Sequence, residues 1–176
     1  MAGSPDDDFE QLAPDAGAGR RPGVSRQGPS LKARAIGYLS RREHSRAELQ
    51  RKLAPHTNPD DPAELTRVLD ELEREKWQSN QRFAQSLVHR RASKKGAAVV
   101  VQELRRHGVA DDDVAAIHDQ LKATEYDRAK AVWQRKFGAP PADSKEYARQ
   151  MRFLASRGFS PAILRQILGD LDDFLE

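Results

Sequence analysis

Three leucines set the first constraint on what this chain can fold into. Leu53 closes an apolar stretch in "LAPH", Leu104 in "LRRHGV" and Leu154 in "LASRGF", and they lie 51 and 50 residues apart. A second series runs beside the first. "LSRR" at Leu39, "VHRR" at Val88 and "WQRK" at Trp133 each give an apolar residue, a spacer and two bases. Two positional series in the same order mean that one supersecondary unit is written three times. A unit of about fifty residues buries too little surface to stand well alone, so such units lean on their neighbours and stack in a row.

Hydrophobic spacing says what the unit is made of. In "LKARAIGYLSRR", Leu31, Ala35, Tyr38 and Leu39 share one stripe at helical spacing. "SRAELQRKL" opens with Ser45 and carries Glu48 three residues later, the pattern of a capping box. "PAELTRVLDELEREKW" begins with Pro62, acceptable in a first helical turn, and Leu65, Val68, Leu69 and Leu72 follow i, i+3, i+4, i+7. The second unit reads as helices over 80–93, 96–107 and 111–121, and the third as helices over 124–137, 144–156 and 160–174. Gly96, Gly108, Gly138 and Gly158 mark the boundaries. Asp111, Asp112 and Asp113 open a helix, where acids favour the dipole, and read as capping groups rather than metal ligands. The densest β-branched run, Val99-Val100-Val101, lies inside a helical pattern. The expected fold is all-α: three tandem three-helix repeats at 31–77, 78–122 and 123–176, forming an elongated curved array. An apolar content of 38% suits several small cores better than one large one. Residues 1–29 are rich in Gly, Pro, Ala, Asp and Arg, with scattered Phe9, Leu12 and Val24, and are expected to be disordered.

The charge is unevenly placed. Residues 1–19 hold five acids (Asp6, Asp7, Asp8, Glu10, Asp15) and no Lys or Arg, which leaves the other 157 residues with all 30 bases, 22 of the 27 acids and a net of +8. That excess points to a polyanionic partner, either nucleic acid or an acidic protein surface. The densest stretch, 82–109, carries Arg82, Arg90, Arg91, Lys94, Lys95, Arg105 and Arg106 against the single acid Glu103. A surface that serves only solubility usually mixes the two signs. The doublets Arg41/Arg42, Arg90/Arg91 and Arg135/Lys136 stand at the same place in three units. One cation complements a helix C-terminus by roughly 0.3–1 kcal/mol. A second at each end projects charge at matching points along the array, as a phosphate backbone or acidic groove requires.

Several chemistries are excluded. The chain has no cysteine, so disulfides, zinc fingers and thiol nucleophiles are ruled out. No apolar run approaches the roughly 18 residues of a membrane helix, and the acidic N-terminus lacks the apolar stretch of a signal peptide. A soluble, cytoplasmic, monomeric protein without a membrane partner is expected. His44, His56, His89, His107 and His118 show no ligand spacing, no Ser/His/Asp set assembles, and "SKKGAAVV" lacks the order of a phosphate-binding loop. Neither catalysis nor a metal or cofactor is expected. His56 and His107 hold equivalent positions, taken by Arg157 in the third unit, and read as helix-end residues. Trp77, Phe83, Trp133, Phe137, Phe153 and Phe159 read mainly as core, while Tyr38, Tyr126 and Tyr147 suit either core or partner contacts. Too few aromatics flank the bases to build a base-stacking platform.

"YLSRREHSRAELQRKL" (38–53), "QRFAQSLVHRR" (81–91), "ELRRHGV" (103–109) and "FLASRGFS" (153–160) together resemble the RecX family of bacterial recombination regulators, over about residues 31–174. The resemblance implies tandem three-helix repeats that bind the RecA recombinase filament on single-stranded DNA, in its helical groove. It implies inhibition of ATP hydrolysis, strand exchange and coprotease activity, with double-stranded DNA as a further nucleic-acid partner. The family's basic positions match Arg41, Arg42, Arg46, Arg90, Arg91, Arg105 and Arg157. Three features depart from its pattern: the acidic N-terminal extension, Gln81 where an acid often precedes "RFA", and the Pro-rich "PHTNPDDP" joining two helices. The alternative is a helix-turn-helix DNA-binding protein or transcription regulator. That reading expects one helix to concentrate base-reading side chains, whereas here the bases recur across units and gather at helix ends.

Overall fold

The computed structural model describes residues 28–170. Among them the chain forms nine α-helices, one short 3₁₀ turn at 54–56 and no strand. The helices are α1 (Leu31–Leu39), α2 (Arg46–Leu53), α3 (Glu64–Arg74), α4 (Asn80–Arg91), α5 (Ala97–Arg106), α6 (Asp111–Ala123), α7 (Glu125–Lys136), α8 (Ser144–Ala155) and α9 (Pro161–Leu168). They group by threes around three separate cores. Leu31, Ala35, Leu49, Leu53, Leu69 and Leu72 fill the first. Phe83, Leu87, Val100, Leu104, Val114, Ile117 and Leu121 dominate the second. Trp133, Tyr147, Leu154, Phe159, Leu164 and Leu168 dominate the third. The three leucines of the repeat are each completely buried, and each anchors the second helix of its unit.

Short polar side chains start the helices. Ser30 Oγ accepts from Ala33 N, Ser45 Oγ from Glu48 N at 3.1 Å, Ser79 Oγ from Arg82 N, and Asp143 Oδ1 from Glu146 N at 2.6 Å. Only half of the expected capping box forms at Ser45, because the Glu48 carboxylate turns instead to Arg42 and His44. The ends of α5 and α8 share one design. After the buried Leu104 or Leu154 comes a turn closed by Gly108 (φ +70°) or Gly158 (φ +83°), followed by a buried Val109 or Phe159. A left-handed residue there reverses the chain at little cost only if it has no Cβ.

Four expectations change. Gly96 is not a helix stop but the residue that opens α5, at φ −72°. The pattern "PAELTRVLDELEREKW" becomes helical only at Glu64 and stops at Arg74, because Lys76 takes φ +65°. Trp77 therefore lies beyond the helix, 49% exposed, rather than in a core. The last helix ends at Leu168, since Gly169 (φ +86°) follows it; the expected continuation past residue 170 lies outside the described residues. The disorder expected for 1–29 falls almost wholly outside them as well.

Between units, hydrogen bonds and ion pairs link only neighbours among the described residues. At the first seam Asn80 Oδ1 accepts from Arg46 N and from Gln78 Nε2, both at 2.9 Å, and buried Gln78 also donates to His44 O. At the second, Gly96 N donates to Arg157 O at 2.8 Å and Ala97 N to the buried Glu125 carboxylate at 3.4 Å. Backbone meets backbone here: a Cβ on Gly96 would stand 2.0 Å from Gly158 O. The three units thus form a row whose second and third members are in direct main-chain contact.

Candidate anion-binding face

The basic doublets sit where the repeat series places them. Arg41 and Arg42 follow α1, Arg90 and Arg91 end α4, and Arg135 and Lys136 end α7. Within the first two doublets the structure divides the labour. Arg42 binds the Glu48 carboxylate through both terminal nitrogens, and Arg91 Nη2 lies 3.1 Å from Glu103 Oε1. Each of these arginines staples the end of its unit's first helix to the second helix. Arg41 forms no ion pair among the described residues, and Arg90 donates to Ser86 Oγ at 2.7 Å while staying exposed. The third doublet has no acid partner among the described residues.

Two further candidates are held inside the fold. Arg46 bonds Asp70 Oδ1 at 2.5 Å and Glu73 Oε2 at 3.1 Å. Arg82 donates to Glu43 Oε1 at 2.8 Å and to the carbonyls of Lys76 and Trp77. It fastens α4 to the first unit, so its charge is largely spent within the chain. Arg105 and Arg106 are exposed at the end of α5, and Arg105 borders the groove between α5 and α6 with Gln102, Asp111 and His118. Lys94 and Lys95 form the α4–α5 turn.

Four of the candidates converge. Lys94, Arg135, Lys136 and Arg157 line one cavity of about 210 Å³ at the second seam, floored by Val132 and Phe153. The guanidinium of Arg157 lies 4.3 Å over the Phe153 ring, and its Nε is buried without a hydrogen-bond partner. Among the described residues no acid lines the cavity.

Two residues that shape this face carry no mark in a charge count. Arg128 donates to Ala92 O at 2.8 Å, Lys95 O at 2.7 Å and Leu121 O at 2.6 Å, and Glu125 accepts from Ala97 N. Together they fix the turn that presents Lys94 and Lys95. Burial pulls the Arg128 guanidinium below its ordinary pKa, with Glu125 opposing. One signal was available: Arg82 and Arg128 each stand near the start of a helix, where the dipole disfavours a cation. A cation there needs another partner, and both find backbone carbonyls.

His44 and His107 lie near the first seam. His44 Nδ1 is 3.1 Å from Glu48 Oε2, and the His107 ring packs 4.8 Å from that of Phe83. Burial lowers both imidazole pKa values. Burial raises the Glu48 pKa in turn, but Arg42 and His44 outweigh it and hold the carboxyl below its ordinary value. Among the described residues no group of three His, Cys, Asp or Glu is placed to hold a metal, and no helix is long and apolar enough to cross a membrane.

Comparison with known proteins gives concordant results. Family descriptions match residues 32–72 as "RecX, first three-helix domain", 79–116 as the second and 123–168 as the third. "Regulatory protein RecX" of Ralstonia nicotianae is 56% identical over 153 residues, covering 87% of this chain and 95% of that protein. Its namesake in Neisseria meningitidis is 41% identical over 130 residues, 74% of this chain and 83% of the other. Two solved structures share the fold: a crystal structure of regulatory protein RecX (TM-score 0.63, 20% identity, 80% of this chain and 74% of that one) and RecX from Lactobacillus salivarius (TM-score 0.62, 19% identity, 82% and 96%).

Proposed function

The chain belongs to the RecX family, and from that premise we propose that it binds the RecA filament on single-stranded DNA and restrains its ATP hydrolysis, strand exchange and coprotease activity. The observation that carries this reading is the set of cations left without an acid of their own. Arg41, Arg90, Lys94, Lys95, Arg105, Arg106, Arg135, Lys136 and Arg157 form no ion pair among the described residues, and they recur at helix ends through all three units. Charge presented at intervals along a row of modules suits a polymer whose acidic groups or phosphates also recur. Lying in the helical groove, one chain touches more than one protomer and opposes the rearrangements that turnover and exchange require. Single-stranded DNA inside the filament is the nucleic-acid partner, with double-stranded DNA second. Arg42, Arg46, Arg82 and Arg91, satisfied by Glu48, Asp70, Glu73, Glu43 and Glu103, act chiefly by keeping the units in place.

The test is a titration of the protein into RecA assembled on single-stranded DNA, following ATP hydrolysis. Hydrolysis falls at substoichiometric amounts if one chain restrains several protomers. Unchanged hydrolysis at excess, together with tight sequence-specific binding to naked duplex, would favour a helix-turn-helix regulator instead.

A further inference from the structure

We propose that the cavity at the second seam is a binding site for a multiply charged phosphate, the terminal phosphoryl group of a nucleic-acid end or the polyphosphate of a free nucleotide. This goes beyond the reading above and stands or falls without RecA.

The cavity is built rather than incidental. Its cations arrive from three places: Lys94 from the α4–α5 turn, Arg135 and Lys136 from the end of α7, and Arg157 from the turn after α8. Four like charges gathered around one cavity repel each other, and among the described residues no lining acid offsets them. The Arg157 guanidinium is held over Phe153 while its buried Nε–H meets no acceptor. A buried donor without an acceptor is costly and is rarely left so. An oxyanion in the cavity supplies the negative charge that the described lining lacks.

Charge and size select among anions. A phosphodiester or a carboxylate brings one negative charge. A phosphate monoester brings about −1.5 to −2 at neutral pH, with three acceptor oxygens, and a polyphosphate brings more. Four cations match the latter pair better. Arginine forks fit phosphate oxygens two at a time, and Lys94 and Lys136 add point charges. At about 210 Å³ the cavity lies below the roughly 300–1,000 Å³ of pockets that enclose whole drug-sized ligands. It takes the phosphate and leaves the rest of the ligand outside. Because Lys94 belongs to the second unit and the other three cations to the third, an occupant also ties the two units together.

The experiment is calorimetric titration of the full chain with inorganic pyrophosphate at constant ionic strength. One saturable site is expected. Arg157→Gln should weaken it at least about tenfold, as loss of a charged hydrogen bond does. Lys136→Ala, at an exposed position, should weaken it several-fold while leaving the unfolding curve unaltered. Arg106→Ala, outside the cavity, should leave affinity unchanged. Competition then identifies the source: ATP displaces pyrophosphate if the site serves free nucleotide, and a 5′-phosphorylated oligothymidylate does so if it serves nucleic-acid ends. Four results overturn the proposal: no saturable heat, saturable binding that neither ATP nor the 5′-phosphorylated oligothymidylate displaces, an affinity that Arg157→Gln and Lys136→Ala both leave unaltered, or equal displacement by 5′-hydroxyl oligothymidylate or polyglutamate.

Discussion

Lys76 holds a left-handed conformation, φ +65°, with a side chain that glycine would lack. It stops α3 and turns the chain toward the second unit. Lys76→Gly should therefore stabilise the protein by about 1 kcal/mol, read as a higher urea midpoint. Gly96 presents the opposite case. Its φ of −72° suits any residue, but a Cβ would lie 2.0 Å from Gly158 O. Gly96→Ala should destabilise by about 3 kcal/mol or more, because the obstacle is backbone and cannot swing aside. Gly108→Ala meets only Ala47 Cβ at 3.6 Å and should cost about 1–2 kcal/mol, from its positive φ alone. The sequence marks both glycines alike. Which one needs the conformation and which the space depends on what packs opposite, and that partner lies some sixty residues away in each case. The histidines add a pH dependence. His44 faces Glu48, Arg42 and Lys52, and His107 faces Glu48, Glu103, Arg51 and Arg42, yet burial dominates and lowers both pKa values. The folded state then binds fewer protons than the unfolded chain. This contribution to stability is complete above the ordinary histidine value of about 6.5 and is lost as pH falls below it toward the lowered folded values. The urea midpoint should drop between pH 7 and pH 5, and His107→Gln should flatten part of that drop. An unchanged midpoint across this window would contradict the burial argument.

Within a unit, element order follows from local signals: the 3.6-residue spacing, Ser45 and Pro62 near helix starts, and Gly108, Gly138 and Gly158 past the ends. What joins one unit to the next was not legible in the same way. Arg82 and Arg128 reach backbone carbonyls that any sequence would provide, so composition cannot single them out. Charge counting put Arg82 among the binding candidates, and the same counting passed over Arg128. The clamp at the second seam carries the greater load, since three carbonyl oxygens lose a donor when it is removed. Arg128→Met should cost at least about 2 kcal/mol in urea unfolding. It should also loosen the turn bearing Lys94 and Lys95, seen as faster amide exchange at those residues. Arg42 and Arg91 work at smaller scale. Their partners are partly exposed, and pairs of this kind contribute about 0–1 kcal/mol, so Arg91→Ala should move the midpoint little.

At the scale of the molecule, the repeat makes the row of three-helix units readable in the sequence. Two leucine intervals near fifty residues and a recurring basic doublet left few other folds open. The function-bearing surface was half readable. The doublets are at matching positions, but acids on the second helices take up one arginine of each of the first two pairs. The seam cavity, which collects Lys94, Arg135, Lys136 and Arg157, appears only once the units are stacked. The cations that remain are those expected to meet the filament. Their contribution is measured most directly by the salt dependence of binding to RecA on single-stranded DNA. The comparison is between the unaltered chain and a variant with Arg90, Lys94 and Lys95 all changed to Ala. The account predicts weaker binding and a slope of log affinity against log salt that is shallower by up to about 2, since each phosphate contact contributes roughly 0.7 on a single strand. Equal affinity and equal slope in the two proteins would contradict it.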